Sequence, residues 1–348
     1  MPTLAVGMLE TREKHDMPTA SVGMAPFPAL SATETLADKH PMNENISRRT
    51  LLAIGALTAG EIVLGKTVHA AQSPFVFREL GTTGLELSES GKPVFVYNYG
   101  MVLAAGFPET MRRSSYLHPV YAPNGAVLTD DFNADHPHHR GISWMWPEVS
   151  VDGKKGDIWM VKGFQQRFVR WRARETGNAQ SRLAVENGWF DGDRRFVNED
   201  VEILAHAASG GRRLLEFTLR FEAVDRPVQI AGTAEGKKGF GGFCFRFAPR
   251  DGGAAKTVIR TDRGICKADG VMSRHPWAEI AGTFQGKAAG ARVEDTPSNP
   301  GYPNNGWLMR HGFGFLNVSY PGIQPITLQA GKPLVLKYRV TLFSGDGG

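Results

Sequence analysis

Cysteine is scarce in this chain: Cys244 and Cys266 are the only two in 348 residues, too few for a cysteine zinc site. In an oxidising compartment the pair can close a disulfide; alternatively Cys244, inside the apolar run GFCFRF, is a small buried hydrophobe. Long helical periods are missing, since no stretch keeps one beyond about two turns. Several catalytic signatures are missing too. GISWM lacks the second glycine of a nucleophile elbow, and there is no P-loop and no HExxH. The glycine-rich GKKGFGGF follows no strand–helix pattern, so it is no dinucleotide site. Charge of one sign is not in excess either. Forty Lys and Arg face 35 Asp and Glu, and the basic residues are scattered (Arg112, Arg113, Lys154, Lys155, Arg212, Arg213), which argues against a nucleic-acid partner. No repeat or apolar stripe points to a protein partner or an oligomeric state.

Near the N-terminus stands MNENISRRTLLAIGALTAGEIVLGKTVHAAQ, beginning at Met42. Ser47, Arg48 and Arg49 followed by Thr50, Leu51 and Leu52 fit a twin-arginine export signal. The apolar run from Leu51 to Leu64, broken by the discordant Glu61, is shorter than the roughly 20 residues that span a bilayer. Val68 and Ala70 supply small residues for cleavage near Ala70 or Ala71. The expectation is therefore export to the periplasm or beyond, with no membrane span in the mature chain. Residues 1–41, rich in Pro, Ala, Thr and Met, read as a disordered extension or an over-called reading frame that starts properly at Met42. Residues 42–71 are then the signal and 72–348 a single domain.

Across that domain the dominant pattern has a period of two. In LLEFTLRFEA, Leu215, Phe217, Leu219 and Phe221 share one face, with Glu216, Thr218, Arg220 and Glu222 on the other. LVLKYRVTLF repeats this with Leu334, Leu336, Tyr338, Val340 and Leu342, and Val201, Ile203 and Ala205 give a third case. Turn pairs such as Asn124-Gly125, Asp152-Gly153, Asp191-Gly192 and Asp251-Gly252 punctuate the runs. Many strands with short glycine-rich turns predict an all-β fold. The specific form expected is a large antiparallel β-sandwich of two packed sheets, of jelly-roll or supersandwich type.

The densest polar chemistry lies in DDFNADHPHHRGISWMW, Asp130 to Trp146. As an extended strand it would point His136 and His138 to one side, about 7 Å apart, and His139 to the other. Two imidazoles so placed can share one divalent metal ion, or one can orient a substrate while the other moves a proton. Arg140 offers a planar fork for a carboxylate or a pair of sugar hydroxyls. His118, just upstream in YLHPVY, can reach the same place from a neighbouring strand. The long polar loop DTPSNPGYPNNGW, running into LMRHGFGF, makes Asn299, Trp307 and Arg310 candidates to line a cleft. Trp144 and Trp307 are candidate stacking walls for a sugar ring. A paired-carboxylate glycosidase is also open, with Asp130, Asp131, Asp157, Glu186 or Asp191 as its acids.

The order YLHPVYAPNG, DHPHHRGISW, DGKKGDIW, GGFCFRFA, DTPSNPGYPNNGW and LMRHGFGF resembles the family labelled methane oxygenase PmoA-like, over about Phe95 to Phe343. By position the resemblance implies a site of His118, His136, His138, His139, Arg140, Trp159, Arg246, Asn299, Trp307 and Arg310. The chain departs from the pattern at Trp277-Ala278-Glu279, where an Asp after the Trp is expected, and at Ile142-Ser143 in place of Leu-Trp. The label describes a multi-helix membrane subunit, which a chain without a spanning segment cannot be. Members look instead like secreted β-sandwich proteins of polysaccharide-degrading bacteria, which implies a carbohydrate role by analogy.

Together these readings predict a periplasmic carbohydrate-active protein, with an enzyme that cleaves or modifies a glycoside favoured. His136, His138, His139 and Arg140 would be catalytic; His118, Trp144, Arg246, Asn299, Trp307 and Arg310 would bind substrate. Two rivals stand beside it: a non-catalytic sugar-binding module, and a metal-dependent oxidoreductase holding copper or iron through His136 and His138.

Overall fold

In the computed structural model, residues 73–347 are described; the twin-arginine segment and the N-terminal extension lie outside the described residues. The period-two runs become strands as expected. Leu215, Phe217, Leu219 and Phe221 are all buried in the strand Arg212–Ala223, and Leu336, Tyr338, Val340 and Leu342 in the strand Leu334–Ser344. The two strands pair antiparallel with Phe217 opposite Tyr338 and Leu219 opposite Leu336, so their apolar sets fall on one face. Leu334, at the strand's start, is only half-buried.

Two nine-stranded sheets and one of four strands are formed, and every strand pairing is antiparallel. The first sheet contains Phe75–Leu80, Gly84–Glu89, Lys92–Asn98, Tyr116–Val120, Ile142–Met145 and Gly242–Arg246, then Phe315–Ser319, Gly306–Arg310 and Gly270–Arg274. The second is built round four long strands, Gln165–Thr176, Gln180–Asp191, Arg194–His206 and Arg212–Ala223, joined to Leu334–Ser344 and Lys287–Asp295. The four-stranded sheet holds Glu148–Val151 at its centre, and two residues separate that strand from Met145. Among the described residues there is no α-helix, only three short 3-10 turns, and no helix long and apolar enough to cross a membrane.

The inner faces of the two large sheets meet through aromatic side chains. Phe243 of the first sheet lies 5.2 Å from Phe217 and 4.5 Å from Tyr338 of the second, measured between ring centroids. A sandwich of this size buries its interior fully, and polar groups are enclosed with it, the carboxylate of Glu199 among them. Glu199 is completely buried and accepts four hydrogen bonds, from Trp144 Nε1 (2.8 Å), Asn187 Nδ2 (2.9 Å), Gln166 Nε2 (2.6 Å) and Trp189 Nε1 (2.6 Å). Burial raises its pKa against the pull of those donors. The bond from Trp144 ties the first sheet to the second. Cys244 and Cys266 stand apart as free thiols, Cys244 buried 3.2 Å from Ser143 Oγ.

Candidate functional site

A cleft of about 580 Å³ is lined among others by His136, His138, His139, Asp157, Lys162, Phe240 and Arg310, with segments from both ends of the central strands of the first sheet contributing. The loop with the histidines is cinched at its neck. Gly141 N donates to Asp130 O (2.9 Å), and Arg246 N donates to Gly141 O (2.8 Å). Gly141 sits at φ +43, and a Cβ there would meet Leu117 O at 1.9 Å, so only glycine fits. This accounts for the glycine that ends HPHHRG.

Inside the neck the chain is not extended, contrary to expectation. Pro137 and His138 form a turn in which His139 N donates to His136 O (2.9 Å), and Asn133 Oδ1 accepts from His136 N (2.8 Å). Pro137, with its φ preset, suits that turn. The consequence is a correction: His139 does not face away from His136. Its ring lies nearly parallel to His136 (4.7 Å, 6°) and on its other side stacks on Phe315 (4.5 Å, 12°). His138 stands edge-on to both, at 5.7 Å from His136 and 4.5 Å from His139. All three imidazoles therefore belong to one wall.

Their chemistry differs. His136 Nδ1 lies 3.1 Å from Asp135 Oδ2, and Asp135 Oδ1 in turn accepts from Arg246 Nη2 at 2.7 Å. Partial burial opposes ionisation of Asp135, but the bonds from Arg246 and His136 win and lower its pKa to about 2. A carboxylate only accepts, so Nδ1 of His136 carries the hydrogen and Nε2 is left to accept a proton from the cleft. His138 makes no hydrogen bond through its ring to any described residue. Burial, with the nearby charges of Arg113, His136, Arg140 and Arg246, drives its pKa down to about 3. Burial likewise pushes His139 well below its ordinary value.

A second loop forms the opposite wall. Asp157 and Lys162 exchange backbone hydrogen bonds (2.8 and 2.7 Å), and Asp157 Oδ1 accepts from Met160 N (2.7 Å). Burial raises the pKa of Asp157. Between them Val161 is held at φ +56, a conformation β-branched residues avoid, so the surrounding hydrogen bonds impose strain there. Trp159 packs edge-on against His139 (5.4 Å, 90°). Fully buried Arg113 joins the two walls, donating to the carbonyls of Ile158 and Trp159 and reaching His138 O at 3.5 Å. It has no carboxylate within ion-pair distance.

Of the residues expected from sequence, the cleft gathers His136, His138, His139, Trp159 and Arg310. The others need correction. Arg140 is buried under the histidine loop and holds it, donating to Pro137 O (3.0 Å), Asp131 Oδ1 (3.1 Å) and Met111 O (2.5 Å), with Phe132 over its plane; it offers no free fork. Trp144 belongs to the Glu199 network, and Trp307 is fully buried with its Nε1 on His275 O (2.6 Å), so neither can stack on a ligand. Asn299 is a loop clamp, bonded to Asp295 Oδ1 (2.7 Å) and to both backbone groups of Lys337 (2.6 Å each). His118 lies away from the cleft, its Nδ1 3.1 Å from Thr129 Oγ1. Arg246 sits behind the wall, where it holds Asp135. Of the carboxylates considered, Asp131 is tied to Arg140, Glu186 to Arg170, Arg172 and Arg195, and Asp191 to Lys154; only Asp157 faces the cleft.

His136 and His138, the two candidate metal ligands, stand edge-on with ring centroids 5.7 Å apart, and His136 directs one nitrogen to Asp135. Among the described residues no group of three or more His, Cys, Asp or Glu is placed to hold a metal ion. Sequence reasoning missed Glu148, Lys162, Glu235, Lys238, Phe240 and Phe313 of the lining, and Asp135 behind it. Lys238 and Phe240 lie in GKKGFGGF, whose glycines drew attention only to nucleotide binding.

No curated protein matches the chain by sequence. Among solved structures, it is similar to a GH36 alpha-galactosidase from Geobacillus stearothermophilus, solved with raffinose, at 12% identity and a TM-score of 0.38. The match covers 78% of this chain and spans 39% of the galactosidase's length. A galactose mutarotase related enzyme from Lactobacillus acidophilus is similar at 9% identity and a TM-score of 0.36, over 78% of this chain and 98% of that one. One family pattern, Family of unknown function (DUF6807), matches residues 84–347, and with most of its length covered the chain belongs to that family.

Proposed function

We propose that this chain is an exported, periplasmic carbohydrate-active enzyme that modifies or cleaves a glycoside by proton transfer from the histidine wall of its cleft. The observation that carries this is the relay Arg246–Asp135–His136, in which a buried guanidinium holds a carboxylate and the carboxylate orients an imidazole at a 580 Å³ cleft. Such an arrangement fixes the tautomer and keeps Nε2 of His136 free as a general base, or as an acid once protonated. His138, neutral across the working range, accepts or donates one hydrogen bond to a sugar hydroxyl without adding charge. Asp157, its proton held more tightly than usual, supplies a second acid–base group on the facing wall. The size of the cleft suits a sugar residue with its neighbour.

The metal-dependent reading of the PmoA-like resemblance needs a third donor beside His136 and His138, and among the described residues no group of three His, Cys, Asp or Glu is placed to hold a metal ion; no step is derived through a metal. The test is proton NMR of the full chain with a panel of glycosides and free sugars, with His136→Ala and Asp135→Asn beside it. Turnover that falls by about 10²–10⁴-fold in His136→Ala, with the fold intact, supports the proposal. Saturable binding without product in the wild type would make the protein a sugar-binding module. Full turnover by His136→Ala would end the mechanism.

A further inference from the structure

The charges round the cleft are unevenly answered. Arg310, four-fifths buried and lining the cleft, makes no hydrogen bond through its guanidinium to a described residue; its nearest carboxylate oxygen, on Asp269, is 3.7 Å away. The other oxygen of Asp269 is taken by His311 through N (2.8 Å) and Nδ1 (3.0 Å). Among the described residues Lys162 has no ion pair, and Arg113 behind the wall meets carbonyls and Met145 Sδ but no carboxylate within ion-pair distance. Beneath the histidines, Arg246 is 4% exposed and leaves two buried donors, Nε and Nη1, without a partner, as does Asn133 at Nδ2. On the acidic side, Glu235 is already engaged by Lys238 (3.4 Å), Glu148 is exposed at the rim, and burial opposes the charge on Asp157. Lys162, Lys238 and Arg310 of the lining face Glu148, Asp157 and Glu235 in equal number. The largely buried guanidinium of Arg310, however, has no hydrogen-bonded partner among the described residues, and a buried guanidinium is costly unless it is paired.

We propose that the ligand of this cleft is an anionic saccharide, a sugar bearing a carboxylate or a sulfate, whose anion lies on Arg310 with Lys162 beside it. This rests on the carbohydrate reading above and names its substrate class. A planar guanidinium that holds no hydrogen bond, its one ion-pair contact a carboxylate oxygen at 3.7 Å, matches two oxygens of either group. The orientation that follows sets the anion at the Arg310 side and presents the ring hydroxyls to His136 and His138.

The test is calorimetric titration of the full chain with glucose, glucuronate and glucose 6-sulfate, and with their oligosaccharides, at low and at physiological salt. Arg310→Gln is compared with Arg339→Gln, a control on the outer sheet face where Arg339 pairs with Glu216, and thermal melts check folding. One anionic sugar binding at least tenfold tighter than glucose, with about a 10- to 100-fold loss in Arg310→Gln and none in Arg339→Gln, supports the proposal. Whether glucuronate or the sulfate binds tells which anion is used. Glucose binding as well as the anionic sugars, indifferent to Arg310→Gln, would overturn the anion and leave the carbohydrate reading standing. No saccharide binding at all would overturn both.

Discussion

Two groups of buried polar side chains lie in the same sandwich, one centred on Glu199 and one on the wall of His136, His138 and His139. Around Glu199 a single carboxylate receives four N–H donors at 2.6–2.9 Å, and only Asn187 Oδ1 at its edge is left without a partner. Around the histidine wall four nitrogens, Asn133 Nδ2, His139 Nδ1 and Arg246 Nε and Nη1, have no partner. A low dielectric strengthens every bond of the first group and penalises every open donor of the second. The same physics therefore separates the two: the network round Glu199 is nearly closed, whereas the wall beside the cleft rests on buried nitrogens without a partner among the described residues.

The largest effect is expected where the closed network is opened. Glu199→Ala strands two indoles and two amides in the core and is expected to cost about 3–5 kcal/mol, lowering the melting temperature by roughly 6–20 °C for a domain of this size. A calorimetric melt within about 2 °C of wild type would show that the network is not structural. At the cleft the comparison predicts the reverse signature. Asp135→Asn disturbs the tautomer of His136 and is expected to reduce turnover about tenfold or more, while an Asn oxygen can still accept from Arg246 Nη2, so the cost to stability is expected to stay below that of Glu199→Ala. A melting shift larger than its loss of activity would place Asp135 with the structural group instead.

How much of this was legible in the sequence follows the same division. Strands with alternating faces, such as Leu215 to Phe221, announce themselves because burial on one sheet face leaves a period of two. The histidine loop stood out because few folds spend three imidazoles in four residues. What could not be read was direction. Trp144 and Trp307 were expected to meet a sugar and are core, because an indole's composition is the same in either role and only tertiary packing decides. Arg140 and Asn299 satisfy backbone carbonyls and amides that a sequence does not display. Lys162, Glu235, Lys238 and Phe240 come to the cleft from loops tens of residues apart, with no local pattern between them.

A smaller effect is expected from pH. The folded pKa of His138 is about 3, below the roughly 6.5 of an unfolded histidine. As pH falls below about 6.5 the unfolded chain takes up that proton first, so stability present above this value is lost progressively towards pH 3. His138→Gln removes the group, and its melting temperature is expected to fall less than that of wild type between pH 7 and pH 4. Parallel curves would mean that the imidazole is not held neutral in the fold.

The smallest expected change is also the one that tests the comparison most directly. Trp144→Phe keeps one aromatic ring, deletes one N–H from the closed network and removes the five-membered half of the indole, leaving Glu199 Oε1 with Asn187 alone. The lost hydrogen bond to a charged group is expected to cost about 1.5–3 kcal/mol, with the vacated volume adding to it, read as a drop of several degrees in melting temperature. Because Trp144 is fully buried and takes no part in the cleft, saccharide affinity in the same variant should not change. A tryptophan that stacked on a sugar would behave oppositely, weakening binding with little cost to the fold. The two readouts, melt and titration, therefore assign Trp144 to one group or the other without any knowledge of the reaction.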